Sequence, residues 1–523
     1  MLHLKNTLEF ESFFQVLFNN KKIELSTHTY ERVRASFEFL KAFSRDKVIY
    51  GVNTGFGPMA QYKIKDNDRK QLQYNLIRSH ASGMGKPMEP LYVKSLMLAR
   101  LNTLGLGKSG VHPQVMETMQ LLINKNITPV IFEHGGVGAS GDLVQLAHLA
   151  LVLIGEGEVF HKGIKRPTAD VFAEENIPSI KIELREGLAL MNGTSAMTGI
   201  GIVNVMYAER LLDWSIFCSA AINEIVEAYD DHLSEELNSS KLHIGQQQVA
   251  SKMRKHLKDS KLTRDRNEHL YSGKHPENDY FKEKIQEYYS LRCVPQILGP
   301  VYDTIENARN ILIEEVNSAN DNPIVDVERQ HVYHGGNFHG DYVSLEMDKL
   351  KLVVTKLSML AERQLNYLLN NRLNDILPPF VNLGELGLNF GMQGAQFSAV
   401  STTAENQMLS NSMYVHSIPN NNDNQDIVSM GTNAANITKT VIENAYEVLA
   451  VEMVTIVQAL RYLNFNGKLS SITRKRMEIL RELVPAFKED IPLSPVLQNV
   501  KDFMKDNDAY DSDEGVQEKK AEK

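Results

Sequence analysis

From about residue 185 onward, apolar side chains recur at three- and four-residue spacing with few interruptions. That is the pattern of helices that bury one face. The clearest run opens near Tyr342, where Leu350, Val353, Val354, Leu357, Leu360 and Leu368 fall on one stripe. At about 1.5 Å per residue, the 28 residues from Tyr342 to Leu369 span roughly 42 Å. Further long helices are predicted from GLALMNGTSAM (187–197) to about Tyr229, from about Val301 to Val316, and within 390–412 and 425–463. Helices of this length, laid side by side, make a bundle rather than a wound sheet. The expected class is mainly α, a long-helix bundle with a smaller mixed N-terminal region.

That N-terminal region, 1–185, alternates apolar and charged positions at helical spacing over 10–45. VIYGVNTGFGP (48–58) then places three glycines, Gly51, Gly55 and Gly57, in seven positions. It reads either as a connecting loop or as a mobile active-site loop carrying Tyr50. Tyr74 to Leu106 reads as helices broken at Gly83, Gly85 and Pro87, and 155–167 as a small hairpin. The bundle is expected over 186–465, with a polar surface excursion or lid at about 230–282 that lacks apolar periodicity. A C-terminal helical segment follows over 466–505. Residues 506–523 are charged and nearly devoid of large apolar side chains, so disorder is expected there.

One stretch stands apart from this patterning: Gly135-Gly136-Val137-Gly138-Ala139-Ser140-Gly141-Asp142, directly ahead of the apolar run Leu143 to Ile154. Asp142 stands where an acidic cap of the following helix is favoured. Three readings are open. Gly136, Gly138 and Gly141 spell G-x-G-x-x-G between strand-like ITPVIF and a helix, as in a phosphate loop. A glycine cluster is also an ordinary tight turn. The third reading is covalent: in an Ala-Ser-Gly triplet held in a tight bend, the Gly141 amide nitrogen can attack the Ala139 carbonyl carbon. Loss of two waters then gives 4-methylidene-imidazol-5-one (MIO), an electrophile made from Ala139, Ser140 and Gly141. The dinucleotide version of the first reading needs strands alternating with helices, and almost none is predicted after residue 185.

Composition narrows the class further. Of 523 residues, 42% are hydrophobic and 23% charged, ordinary for a globular protein with a large core. A net charge of −9 favours neither nucleic acid nor an anionic membrane surface. The N-terminal MLHLKNTLEFESFF has acids inside its apolar stretch, unlike a signal peptide. The longest apolar candidate, 196–222, contains Glu209, Arg210 and Asp213, unlike a membrane span. Two cysteines, Cys218 and Cys293, fit a reducing compartment, so a cytoplasmic location is expected. The methionines read as core filling.

GGVGASGDL, together with YGVNTGFG, MNGT, YYSLRCVPQ, NSANDNP, GGNFHG and NQDIVSMG in this order, resembles the aromatic amino-acid ammonia-lyase and aminomutase family. The resemblance spans about residues 45–465. It implies MIO as the only prosthetic group, without metal or nucleotide, a small aromatic amino acid as substrate, and a homotetramer whose sites draw on several chains. It implies Tyr50 as the base that removes a β-proton, and a phenol near pKa 10 needs neighbouring donors for that task. Tyr289 matches a second catalytic tyrosine. Arg292 matches a carboxylate clamp, for which guanidinium has the fork geometry. Asn192 matches the donor to the MIO oxygen. Gln286, Asn337, Phe338, Glu405 and Gln425 fall on further substrate-site positions. His331, His334 and His339 could suggest a metal site, but the resemblance implies backbone hydrogen bonding instead.

The substrate markers disagree. Ser79-His80 resembles histidine ammonia-lyases, whereas NQDIVSMGT (424–432) resembles tyrosine and phenylalanine lyases. The whole chain resembles a bacterial branch of tyrosine ammonia-lyases that keep Ser-His. L-Tyrosine to trans-4-coumarate is therefore the first expectation, L-histidine to urocanate the second, and a tyrosine aminomutase the third. A catalytically inert helical scaffold would leave Ser140 an ordinary serine.

Overall fold

The apolar stripes emerge as long helices in the computed structural model, which describes residues 2–4, 7–272, 281, 284–465 and 467–510. The longest are Ser195–Ile225, Val294–Val316, Asp341–Leu369 and Gly431–Leu463. Along Asp341–Leu369, Leu350, Val354, Leu357, Leu360 and Leu368 are buried, while Leu352 between them is 51% exposed. Each such buried side chain stabilises the fold by about 1.5–3 kcal/mol relative to exposure. The expected mainly-α class with a mixed N-terminal region is what forms.

The chain divides into two compact units. The first comprises Met1–Val205, Asn307–Asp348 and Ser412–Lys439; the second comprises Met206–Glu306, Lys349–Asn411 and Thr440–Lys523. Both are discontinuous, because the chain passes between them inside the long helices Ser195–Ile225, Val294–Val316, Asp341–Leu369 and Gly431–Leu463, and once more after Gln393–Leu409.

All strands among the described residues lie in the first unit, in four small sheets. Only Leu2–Leu4 with Ile23–Leu25 is parallel. The expected hairpin is present as Glu158–His161 paired with Ile164–Pro167. No wound parallel sheet accompanies the glycine-rich stretch among the described residues, which removes the dinucleotide version of the phosphate-loop reading.

In the second unit, residues 244–257 correct the expectation of a polar excursion. They form the helix Ile244–Leu257, which buries Val249, Ala250, Met253 and Leu257. These apolar positions at four-residue spacing are masked in the sequence by Gln, Lys and Arg on the exposed face. Of residues 506–510, counted with the tail, Ala509 is buried and the Tyr510 ring lies edge-on to His256. Residues 511–523 lie outside the described residues. The sole tryptophan, Trp214, is fully buried. Its indole N–H donates to the carbonyls of Met504 (3.0 Å) and Asn507 (2.9 Å), which hold the last helix, Ser494–Asp506. Among the described residues no helix is long and apolar enough to cross a membrane.

Candidate active site

The glycine-rich stretch is pinned on both flanks. Before the triplet, the Val137 carbonyl accepts from Met430 N–H (3.0 Å), and the Gly138 carbonyl from Gly340 N–H (3.1 Å) and Ser429 Oγ (3.0 Å). After it, Asp142 N–H donates to the Gly193 carbonyl at 2.8 Å. Gly138 (φ +73°) and Gly141 (φ +75°) are left-handed, and a Cβ on Gly141 would lie 2.1 Å from the Gly193 oxygen. Glycine is required at 141 by both the backbone and the close approach. Ala139 is buried against Val428 and Met430.

Asp142 does not cap its own helix, contrary to expectation. Its Oδ2 accepts instead from the N–H groups of Ala196 and Met197 (2.9 Å each), in the first turn of Ser195–Ile225. Its Oδ1 accepts from the Thr432 hydroxyl. Burial raises the Asp142 carboxyl to about 6, against the lowering effect of these donors and of Arg100. One carboxylate thus ties the triplet to two segments distant in sequence, where a helix N-terminus favours negative charge.

Both oxygens of Ser140 receive donors. Asn192 Nδ2 donates to the Ser140 carbonyl at 2.8 Å, and Gln425 Nε2 to Ser140 Oγ at 2.8 Å. The Asn192 amide is itself oriented, because its Oδ1 accepts from the Asn322 N–H at 2.6 Å. Arg100, buried within the apolar helix Pro90–Gly105, donates to the Asn192 carbonyl at 2.8 Å and to Asn320 Oδ1 at 3.1 Å. Burial lowers its guanidinium to about 10, which leaves it charged at neutral pH. The Gly141 N–H has no acceptor among the described residues. A tight turn, a free amide nitrogen and donors on both serine oxygens fit MIO formation.

The loop carrying Tyr50 is anchored by Ile49 and Val52, buried with Leu40, Val325 and Val332. Buried Gln73 donates to the Gly51 carbonyl at 2.9 Å. Tyr50 N–H donates to His334 Nε2 at 3.3 Å. Burial, with Arg185 and His331 nearby, lowers His334 and keeps the ring neutral, as an acceptor must be. Gly57 N–H donates to the Tyr50 phenol oxygen at 3.0 Å. The other two histidines of that region have separate partners: His339 Nδ1 is 3.1 Å from Asp341, and His331 packs edge-on against Tyr333.

Tyr50, Ser79, His80, Ser140, Asn192, Phe338 and Gln425 line one cavity of about 510 Å³ in the first unit, a size suited to a small ligand. Leu72, Leu76 and Ser79 present one face of the helix Arg69–His80 to it. His80 Nδ1 lies 3.0 Å from the Leu76 carbonyl, so in the neutral ring Nδ1 carries the proton and Nε2 is an acceptor. Burial lowers His80, partly offset by that carbonyl. Ser79 Oγ donates to the same carbonyl at 3.1 Å. Asn337 lies beside Phe338 but donates to the Ala319 carbonyl (3.1 Å) rather than lining the cavity.

Gln286, Tyr289 and Arg292 belong to the second unit and line a separate cavity of about 660 Å³ with Tyr288, Arg363 and Tyr367. Tyr289 is 70% exposed, and the Arg292 guanidinium sits 4.8 Å from its ring centroid. No carboxylate pairs with Arg292 among the described residues. Glu405 lies apart from this cavity and accepts from Asn444 Nδ2 at 3.1 Å.

Several residues that build the first site carried weak signals in the sequence. Gly57, Asn322, Asn421 and Asn424 lie within the quoted motifs or beside them. Thr432 closes the quoted NQDIVSMGT stretch, whereas Arg100, a cation inside an apolar helix, was not singled out.

A helical chain with a self-clamped Ala-Ser-Gly turn opening on a cavity beside a tyrosine defines an enzyme built to act on a small ligand. An aromatic amino acid lyase model matches residues 8–482. A tyrosine 2,3-aminomutase of Myxococcus fulvus is 39% identical over 485 residues, covering 92% of each chain. A histidine ammonia-lyase of Halalkalibacterium halodurans is 36% identical over 501 residues, covering 96% of this chain and 95% of that protein. The crystal structure of a tyrosine aminomutase from Streptomyces globisporus superimposes with a TM-score of 0.92 at 34% identity, covering 96% of each chain. The chain belongs to the aromatic amino acid lyase family, which includes ammonia-lyases and aminomutases.

Proposed function

We propose that this enzyme carries MIO formed from Ala139, Ser140 and Gly141 and eliminates ammonia from L-tyrosine to give trans-4-coumarate. The observation that carries the reading is the shared cavity of Tyr50, Ser140 and His80. MIO supplies an electrophile that captures the amino group and improves it as a leaving group. Tyr50 takes the β-proton, with the Gly57 N–H holding its oxygen in place. Asn192 holds the Ser140 carbonyl oxygen. His80 Nε2 accepts from the phenol hydroxyl of the substrate, while Leu76 and Phe338 exclude water from the ring.

Arg292 grips the substrate carboxylate, and Tyr289 is the second catalytic tyrosine. Gln286 and Gln425 complete the polar surround, and the resemblance alone assigns Asn337 and Glu405 to it, since neither lines either cavity of the single chain. The exposure of Tyr289 and the lack of an acid partner for Arg292 support a homotetramer in which these residues serve the pocket of another copy.

The Myxococcus and Streptomyces relatives, both named tyrosine aminomutases, favour a second reading in which ammonia is re-added to give β-tyrosine. Ser79-His80 and the histidine ammonia-lyase relative support a third, histidine to urocanate. Side-by-side assays of tyrosine, histidine and phenylalanine, reading each unsaturated acid by absorbance and β-tyrosine by chromatography, separate them. Urocanate as the main product would overturn tyrosine; β-tyrosine would convert lyase to mutase. Intact mass tests MIO itself: two lost waters leave the chain about 36 Da light, counted from the peptide bonds involved, and Ser140→Ala is expected to abolish turnover without unfolding.

A further inference from the structure

Gln425 touches the one side-chain oxygen that MIO formation removes. Its Nε2–H donates to Ser140 Oγ at 2.8 Å, and the residue is 8% exposed. Asn192 donates to the carbonyl oxygen of the same serine at 2.8 Å. Elimination of water from a serine develops negative charge at both places: on the carbonyl oxygen as the Cα proton leaves, and on Oγ as the Cβ–O bond breaks. Donors fixed at those two atoms before the reaction are what such a step requires.

The backbone around Gln425 explains how the amide is aimed. Asn420 and Gln425 exchange backbone hydrogen bonds of 3.2 and 3.3 Å, closing a turn in which Asn421, Asn422 and Asp423 have φ of +57°, +52° and +57°. Three consecutive residues other than glycine in the left-handed region persist only where the surroundings impose them, and such strain gathers at functional sites. Here the turn delivers the Gln425 side chain to Ser140.

We propose that Gln425 is a catalytic residue for the self-modification of the chain, promoting departure of the Ser140 hydroxyl. The inference rests on the MIO reading above. Ring closure joins Gly141 N to the Ala139 carbonyl carbon. That carbonyl oxygen leaves as the first water with one hydrogen from the Gly141 amide and one from the Ser140 amide. In the second step the Ser140 Cα–H and Cβ–Oγ bonds break, the Cα=Cβ bond forms, and Oγ leaves with its own hydrogen and the Cα proton as water. Gln425 donates a hydrogen bond throughout and is itself unchanged, so no oxidant or co-reactant is needed.

The test is intact mass against time on freshly synthesised full-length chains. Gln425→Met keeps the length of the side chain and removes the donor. It is expected to complete the second water loss at least about tenfold more slowly, in line with the loss of one oriented donor. A species about 18 Da short should accumulate, one water being lost across the peptide groups, with parental melting. Gln425→Glu, of the same shape but acceptor-only as a carboxylate, gives the same reading if the methionine variant does not fold. Conversion of both variants at the parental rate overturns this proposal alone. A parent chain at unmodified mass overturns the MIO reading and this proposal with it.

Discussion

The backbone N–H of Gly57 donates to the phenol oxygen of Tyr50 at 3.0 Å, across seven residues of the same loop. The Tyr50 N–H is fixed separately by His334. The phenol therefore enters the cavity from a loop held at both its backbone and its tip. Tyr50→Phe removes only the oxygen, and the loop anchors Ile49 and Val52 remain buried. A fall in kcat/KM of about 10²- to 10⁴-fold is expected, the range for a lost general base, with unchanged melting. A loss under about tenfold would take Tyr50 out of that role.

In the proposed reading, His80 sets the choice of ring from the wall of the cavity. Its Nδ1 faces the Leu76 carbonyl and burial lowers its pKa, so at neutral pH Nε2 is an acceptor for a ring that donates. The double change Ser79→His with His80→Leu is expected to lower histidine turnover and preserve tyrosine turnover. Steady-state assays on both amino acids decide it, and loss of tyrosine turnover would refute this placement of the pair. In the parent, KM for tyrosine should rise as pH falls through the lowered His80 value, because protonation removes the acceptor.

Glu452 tests the core of the second unit. It is fully buried, and neither carboxyl oxygen has a hydrogen-bond partner among the described residues. Burial pushes its pKa well above the usual carboxylate range. The folded chain then holds this proton more tightly than the unfolded chain. Its stabilising contribution is full below the unfolded pKa and declines as pH rises towards the folded value. Glu452→Gln cannot ionise. Its melting advantage over the parent should be absent near pH 4.5 and grow towards pH 7, at up to about 1.4 kcal/mol per pH unit. Calorimetry across that range reads it directly, and a pH-independent difference would contradict an ionisable Glu452.

Much of the first site was legible because its chemistry is local. Tyr50, Ser140, Asn192 and Gln425 sit in short motifs whose residue types announce themselves. Asp142 shows where that legibility stops. Its place before an apolar run pointed to the cap of its own helix, but the carboxylate turns to Ala196, Met197 and Thr432, contacts set by chain segments brought together only on folding. Arg100 was hidden for the same reason, since its partners Asn192 and Asn320 lie 92 and 220 positions away. The long stripes made the helical class readable, whereas the limits of the compact units were not, because most of them fall within continuous helices. The helix Ile244–Leu257 was missed because a narrow apolar stripe was diluted by polar neighbours.

The position of Trp214 gives the protein a native optical reporter. As the only indole in the chain, buried and hydrogen-bonded to the carbonyls of Met504 and Asn507, it senses whether the last helix is docked. Release of that helix would hydrate the ring and shift its emission to the red. Fluorescence alone can then follow detachment of the C-terminal segment without any label.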